Sequence, residues 1–225
     1  MEEKLNIQRY IDEVKEKRFV KYTGKITKVT GLTIESDGPI ATIGELCYIY
    51  PYRKPEPILA EVVGFRDDKI LLMPLGDMEG IAAGSLVVAS GKTLRVNVGE
   101  ELIGRVIDGL GNPIDGKGPI KTQKTYAVSN MPPNPLERAV IEQPLTFGIK
   151  AIDGLLTCGK GQRVGIFAGS GVGKSTLMGM VSRNSSADVN VIGLIGERGR
   201  EVREFLENDL KEEGLSKSVV VVATS

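Results

Sequence analysis

Residues Arg163 to Val181 read RVGIFAGSGVGKSTLMGMV, and this stretch constrains the fold more than any other part of the chain. A short apolar run, Val164 to Phe167, predicts a strand. A glycine-rich turn follows and ends in Gly173-Lys174-Ser175-Thr176. An amphipathic pattern then predicts a helix over Lys174 to Ser182. Glycines at 169, 171 and 173 let the backbone bend tightly and turn its N–H groups toward one point. A helix N-terminus adds partial positive charge at the same place. Such a cradle suits a phosphate. Lys174 has the reach for β- and γ-phosphates, and the Ser175 hydroxyl suits Mg²⁺. Where the strict pattern has a further glycine this chain has Ala168, which fits the broader Ala/Gly form. The candidate nucleotide-binding residues are therefore Ala168, Gly169, Ser170, Gly171, Val172, Gly173, Lys174, Ser175 and Thr176.

The rest of the composition narrows the chemistry. The chain has no histidine, which removes Ser-His and Cys-His triads and His-based zinc sites. Any general base must be a carboxylate, lysine, tyrosine or cysteine. Cys47 and Cys158 fit no metal spacing and read as reduced, partly buried small apolar residues, in keeping with a cytosolic setting. Lys plus Arg and Asp plus Glu are 29 each, so there is no basic excess for coating nucleic acid or an acidic membrane. The start, MEEKLNIQRY, is too charged for a signal peptide, and runs such as Val219 to Ala223 are too short to span a bilayer.

Three zones follow one another. In residues 1–18, Ile7, Tyr10, Ile11 and Val14 fall at i, i+3, i+4 and i+7, which predicts a helix with one apolar stripe. That stripe either packs on its own domain or docks a partner. Residues 19–91 carry six short β-rich runs: Lys25 to Thr30, Leu32 to Glu35, Leu46 to Tyr50, Leu59 to Phe65, Lys69 to Met73 and Leu86 to Ala89. Gly31, Asp37-Gly38-Pro39, Asp67-Asp68 and Gly76-Asp77 punctuate them, and the spacing predicts a small closed β-barrel.

Residues 92–225 begin with a possible strand at Gly104 to Asp108. A Gly- and Pro-dense stretch follows, then a stiff linker at Met131 to Pro135. The pattern then becomes α/β, with strands at Val164 to Phe167, Asn190 to Ile195 and Val219 to Ala223. A helix is expected over Glu201 to Leu210, with Val202, Phe205, Leu206 and Leu210 on one face and Gly214 as its cap. Alternation of this kind predicts a parallel sheet with helices packed on it, and phosphates at its carboxyl edge.

The second strand runs into Gly196-Glu197-Arg198-Gly199-Arg200-Glu201. In a parallel sheet that turn shares the carboxyl edge with the phosphate loop. Glu197 there can orient or deprotonate a water that attacks a γ-phosphate, with Arg198 steadying the phosphate or Glu197. The same residues also read as a charged loop capping the next helix.

The stretches PPNPLERAVIEQPLTFGIKAIDGLLTCGKGQRVGIFAGSGVGKSTLM and VIGLIGERGREVREF closely resemble the flagellar protein export ATPases. That family is related to the catalytic subunits of rotary ATP synthases. GLTIES and IGELCYIY in the first zone fit it too, so the resemblance covers essentially the whole chain. It implies an N-terminal barrel, a RecA-like nucleotide core and a C-terminal helical domain. It implies that Lys174 binds phosphate, Ser175 ligates Mg²⁺ and Thr176 adds a phosphate contact. It also implies that Glu197 is the catalytic glutamate, with Arg198 beside it. The implied activity is ATP hydrolysis by a homohexameric ring at the cytoplasmic base of an export apparatus, peripheral to the inner membrane and its export gate. The ring would help unfold or release export substrates and their chaperones, and the N-terminal helix would engage a stalk-like regulatory protein.

The family's second Mg²⁺-coordinating aspartate, arginine finger and adenine-holding aromatics would fall beyond Ser225. The chain therefore reads as roughly the first half of such a protein, and a molecule that ended there would hydrolyse weakly or not at all. The alternatives are a virulence type III secretion ATPase, a non-catalytic subunit of a rotary ATPase, and a ring helicase. Glu197 argues against the second. The lack of an aromatic RNA platform, with 5% aromatic residues, argues against the third.

Overall fold

A computed structural model describes residues 21–169 and 171–224. The expected N-terminal helix with Ile7, Tyr10, Ile11 and Val14 lies outside the described residues, as does Ser170. The chain divides into two compact units between Leu94 and Arg95.

The first unit is a closed six-stranded barrel. Its strands are β1 (Thr23–Thr30), β2 (Thr33–Asp37), β3 (Glu45–Tyr50), β4 (Ile58–Arg66), β5 (Lys69–Pro74) and β6 (Leu86–Thr93). They close in the order β1-β2-β5-β4-β3-β6. All pairings are antiparallel, and alternation along each strand sends one face inward. Ile26, Ile34, Cys47, Ile49, Ala60, Val62, Ile70, Leu72 and Val87 fill the interior. Register shifts in β1, β3 and β4 supply the bends that a small barrel needs to close. Ser36 and Ser85 are buried polar residues of this unit, and the Ser36 hydroxyl donates to the Gly38 carbonyl at 2.6 Å.

The second unit mixes small sheets and helices. Its strands are β7 (Arg95–Val98), β8 (Arg105–Asp108), β9 (Lys124–Ala127), β10 (Pro144–Leu145), β11 (Cys158–Gly159), β12 (Asn190–Ile195) and β13 (Ser218–Ala223). β7 and β9 form an antiparallel ribbon, as do β10 and β11. The sheet that matters for the site is parallel and ordered β12-β13-β8. β12 and β13 are apolar runs; β13 is largely buried, whereas β12 buries Ile192 and leaves Val191 and Ile195 76 and 79% exposed. β8 comes from far upstream, and Arg105 clamps the loop that follows it. Arg105 Nε and Nη2 donate to Asp115 at 2.6 and 2.9 Å.

The helices are α1 (Lys150–Leu155), α2 (Lys174–Asn184), α3 (Gly199–Glu204) and α4 (Lys211–Leu215), with a π-helical turn at Phe205–Leu210 joining the last two. Val202, Phe205 and Leu210 bury against Val106, Ile192, Val220 and Val222 of the sheet, with Leu206 packed alongside.

Two expectations need correction. Val164 to Phe167 is not a strand: these residues pair with no strand among the described residues, and Phe167 is 97% exposed. An apolar run becomes a strand only where a neighbour takes up its N–H and C=O groups, and β12, β13 and β8 pair with one another instead. Gly214 does not cap the helix from Gly199. It lies within α4, buried, where a Cβ would come within 2.7 Å of Leu210 Cδ1 and 3.1 Å of Arg183 Cγ. A glycine inside a helix here serves close packing.

Candidate functional site

The turn before α2 is built as the glycine spacing demands. Gly171 has φ 74° and Gly173 has φ 92°, both left-handed conformations that a side chain would oppose. Gly173 occupies the N-cap position, so Lys174, Ser175 and Thr176 form the first turn of α2. No side chain caps that turn, and no acidic residue sits in it. Its free N–H groups and the positive end of the helix dipole therefore remain available to an anion. Ala168, Gly169, Gly171, Val172 and Gly173 are exposed, as are Lys174, Ser175 and Thr176, and a Cβ at Gly169, Gly171 or Gly173 would meet nothing within 4 Å. The cradle is open.

The far end of α2 is tied down. Asn190, the first residue of β12, donates from Nδ2 to the Ser182 carbonyl at 2.8 Å. Lys217, just before β13, donates from Nζ to the Ser185 carbonyl at 3.3 Å. The C-terminal end of α2 thus sits at the amino edge of the sheet. Alongside, Gly179 lies against Asp209 and Arg183 against Gly214, one contact on each side of the positive-φ residue Lys211. The end of α2 is thus held at the amino edge of the sheet, and α3 starts where β12 ends, at the carboxyl edge.

Glu197 is at that edge. It follows β12 by two residues and is half-buried. The preceding N–H, of Gly196, donates to the Ala223 carbonyl at 2.8 Å and holds the turn to the end of β13. Arg198 caps α3 in extended conformation, and its carbonyl accepts from the Val202 N–H at 3.1 Å. Its guanidinium pairs with Glu201 at 3.7 Å rather than with Glu197. That pair is exposed, so its strength is at most ~1 kcal/mol and a phosphate can compete for the arginine. Among the described residues no hydrogen bond or ion pair joins the cradle to Glu197. No group of three or more His, Cys, Asp or Glu among them forms a metal cluster.

Gly179, Asn190 and Gly214 set where α2 and the Glu197 turn sit. Sequence reasoning does not single out Gly179 and Asn190, and it reads Gly214 as a cap. An interior helix glycine is the one signal that was readable in advance.

The ATP synthase alpha/beta family matches twice, its beta-barrel domain over residues 26–91 and its nucleotide-binding domain over residues 148–225. The chain belongs to this family. Within it, the chain is a homologue of the flagellum-specific ATP synthases and type III secretion ATPases. It is 53% identical to the flagellum-specific ATP synthase of Bacillus subtilis over 98% of this chain and 51% of that protein. It is 46% identical to the type 3 secretion system ATPase of Sinorhizobium fredii over 90% of this chain and 45% of that protein. Among solved structures, the assembled ATPase EscN of the enteropathogenic E. coli type III secretion system superposes with a TM-score of 0.79 at 46% identity. The match covers 90% of this chain and 48% of EscN. The chain spans about half the length of the curated relatives it matches.

Proposed function

We propose that this chain supplies the phosphate-binding and water-activating part of an ATP-hydrolysing site in a flagellar protein export ATPase. The observation that carries the reading is the left-handed Gly171–Gly173 turn feeding an uncapped helix that begins with Lys174. In this reading the N–H groups from Gly169 to Thr176, Ser170 included, surround the phosphates. Lys174 Nζ reaches the β- and γ-phosphates, and the Thr176 hydroxyl adds a contact. The Ser175 hydroxyl would hold Mg²⁺, which would supply charge neutralisation at the phosphates. Glu197 orients the attacking water and takes its proton. Arg198 leaves Glu201 for the γ-phosphate. The products are ADP and phosphate. Little covalent work falls to the protein, so positioning and charge carry the rate.

The wider reading is a homohexameric ring, cytoplasmic and peripheral at the export gate. It takes export substrates and chaperones, and a stalk-like regulator binds its N-terminal helix. The assembled EscN, also solved in complex with its central stalk EscO, supports both the ring and the stalk. A virulence secretion ATPase is the second reading, favoured by relatives such as that of Xanthomonas euvesicatoria at 48% identity. The test is Lys174→Ala in the whole protein at the length of its relatives. Equilibrium binding of ATP should weaken, and turnover should fall by ~10²–10³-fold. Near-normal binding contradicts the assignment.

A further inference from the structure

At the amino edge of the parallel sheet, Asn190 and Ser218 face each other as the first register pair of β12 and β13. Both Nδ2 hydrogens of Asn190 are engaged. One goes to the Ser182 carbonyl at 2.8 Å, the other to the Ser218 hydroxyl at 3.3 Å. Ser218 is fully buried, and its own hydrogen goes to the Gly214 carbonyl at 2.6 Å. A continuous run of hydrogen bonds therefore leads from the last turn of α2, through the starts of both strands, into α4. Lys217 adds a second tie, from Nζ to the Ser185 carbonyl at 3.3 Å. The carbonyls taken up here lie at helix ends, where the helix itself supplies no partner. Burying the Ser218 hydroxyl without such partners would be costly.

We infer that Asn190 and Ser218 are positioning residues for hydrolysis: from the opposite edge of the sheet, the pair aims the cradle on α2 at the Glu197 turn. This rests on the hydrolytic reading given above. Glu197 is tied to Asn190 through β12, which pairs residue for residue with β13 up to Ile195 and Ala223. The turn beyond is held by the Gly196 N–H on the Ala223 carbonyl. The cradle is tied to Asn190 through α2. Between α2 and β12 the chain itself offers the five-residue loop 185–189, in which Ser186, Asp188 and Val189 are exposed. Such a loop does not fix the direction of a helix. Two contacts do: Gly179 rests on Asp209 at mid-helix, and Asn190 holds the end at Ser182. Lys174 lies ~7.5 Å along the helix from Gly179, so a tilt of about 8° moves it by ~1 Å. A misplacement of that size costs up to ~10²-fold in rate. Phosphate binding is less exposed to it. The N–H groups of the cradle belong to one turn and move together, whereas the distance to a water on Glu197 changes with every tilt.

The test measures the number of ATP-binding sites, ATP affinity and turnover per bound ATP in the whole protein. Wild type is compared with Asn190→Asp, Ser218→Ala and Glu197→Gln. Asn190→Asp keeps the shape of the side chain and removes both donated hydrogens. Ser218→Ala keeps the Ser182 bond and cuts the link to Gly214. In both, turnover per bound ATP should fall by ~10–10²-fold while ATP affinity stays within about threefold of wild type. Wild-type turnover per bound ATP in either variant overturns the inference. Binding sites lost in step with turnover in both variants also overturn it, because the pair then only holds the unit together. Glu197→Gln separates this result from the hydrolytic reading. Near-normal turnover there removes that reading and the inference with it. An inactive Glu197→Gln beside a fully active Asn190→Asp removes the inference alone.

Discussion

Gly179 of α2 lies so close to Asp209 that a Cβ on the glycine would come within 2.6 Å of the Asp209 carbonyl oxygen. This contact sets the height of α2, and with it the position of Lys174, against the helical segment that begins beside Glu197. Nothing flexible can yield there, because the obstacle is backbone.

Gly179→Ala should therefore destabilise the second unit. Overpacking costs about 1–3 kcal/mol, and the better helix propensity of alanine returns at most ~1 kcal/mol. The melting temperature should fall, and in the whole protein ATP affinity should fall with it. A rise in melting temperature would show that α2 has room to move.

Much of this was legible in advance, for physical reasons. Ile26, Ile34, Ile49, Val62 and Leu72 alternate with exposed neighbours, and turns at Gly31 and Asp67-Asp68 separate their strands. Such local signals survive without tertiary information. The runs at Asn190 to Ile195 and Val219 to Ala223 also became β12 and β13. The failures are non-local. Whether Val164 to Phe167 pairs depends on which strands reach it, and that β13 pairs with β8 depends on a segment more than a hundred residues away. Gly214 misled because a glycine after a helical pattern reads the same whether it ends the helix or lets another helix approach. The glycine turn was readable because backbone geometry carries it, and the position of Glu197 because an apolar strand runs into its turn, whereas Asn190 is an ordinary polar residue until α2 is packed above it.

Asp115 gives a pH signature. The Arg105 guanidinium, helped by the Lys117 and Val106 N–H groups, holds its carboxyl well below the usual carboxylate range against the opposing effect of burial. In the unfolded chain this carboxyl titrates near 3.9, so below about pH 4 the unfolded state binds the extra proton. The stabilisation is therefore complete above that range and drains away as pH falls through it. Asp115→Asn should lower the melting temperature by several degrees at pH 7, and the gap should close as pH drops below about 4. A gap that is constant from pH 7 to 3 would remove the ionised pair from the account.

Cys47 should be inert. It is fully buried in the barrel, and burial, with Glu45 adding to it, pushes its thiol up to about 12. Alkylation at pH 8 should leave Cys47 unmodified in the native protein and label it once the barrel is unfolded. Rapid labelling of Cys47 under native conditions would mean that the barrel opens readily.

The central claim is that Glu197, at the end of β12, activates the water for a phosphate held by the Lys174 turn. Glu197→Gln in the whole protein tests it most directly, with ATP binding and steady-state turnover measured on the same sample. The account predicts ATP affinity within about twofold of wild type and turnover reduced by ~10²–10⁴-fold. Near-normal turnover, or lost binding with an unchanged residual rate, would contradict it.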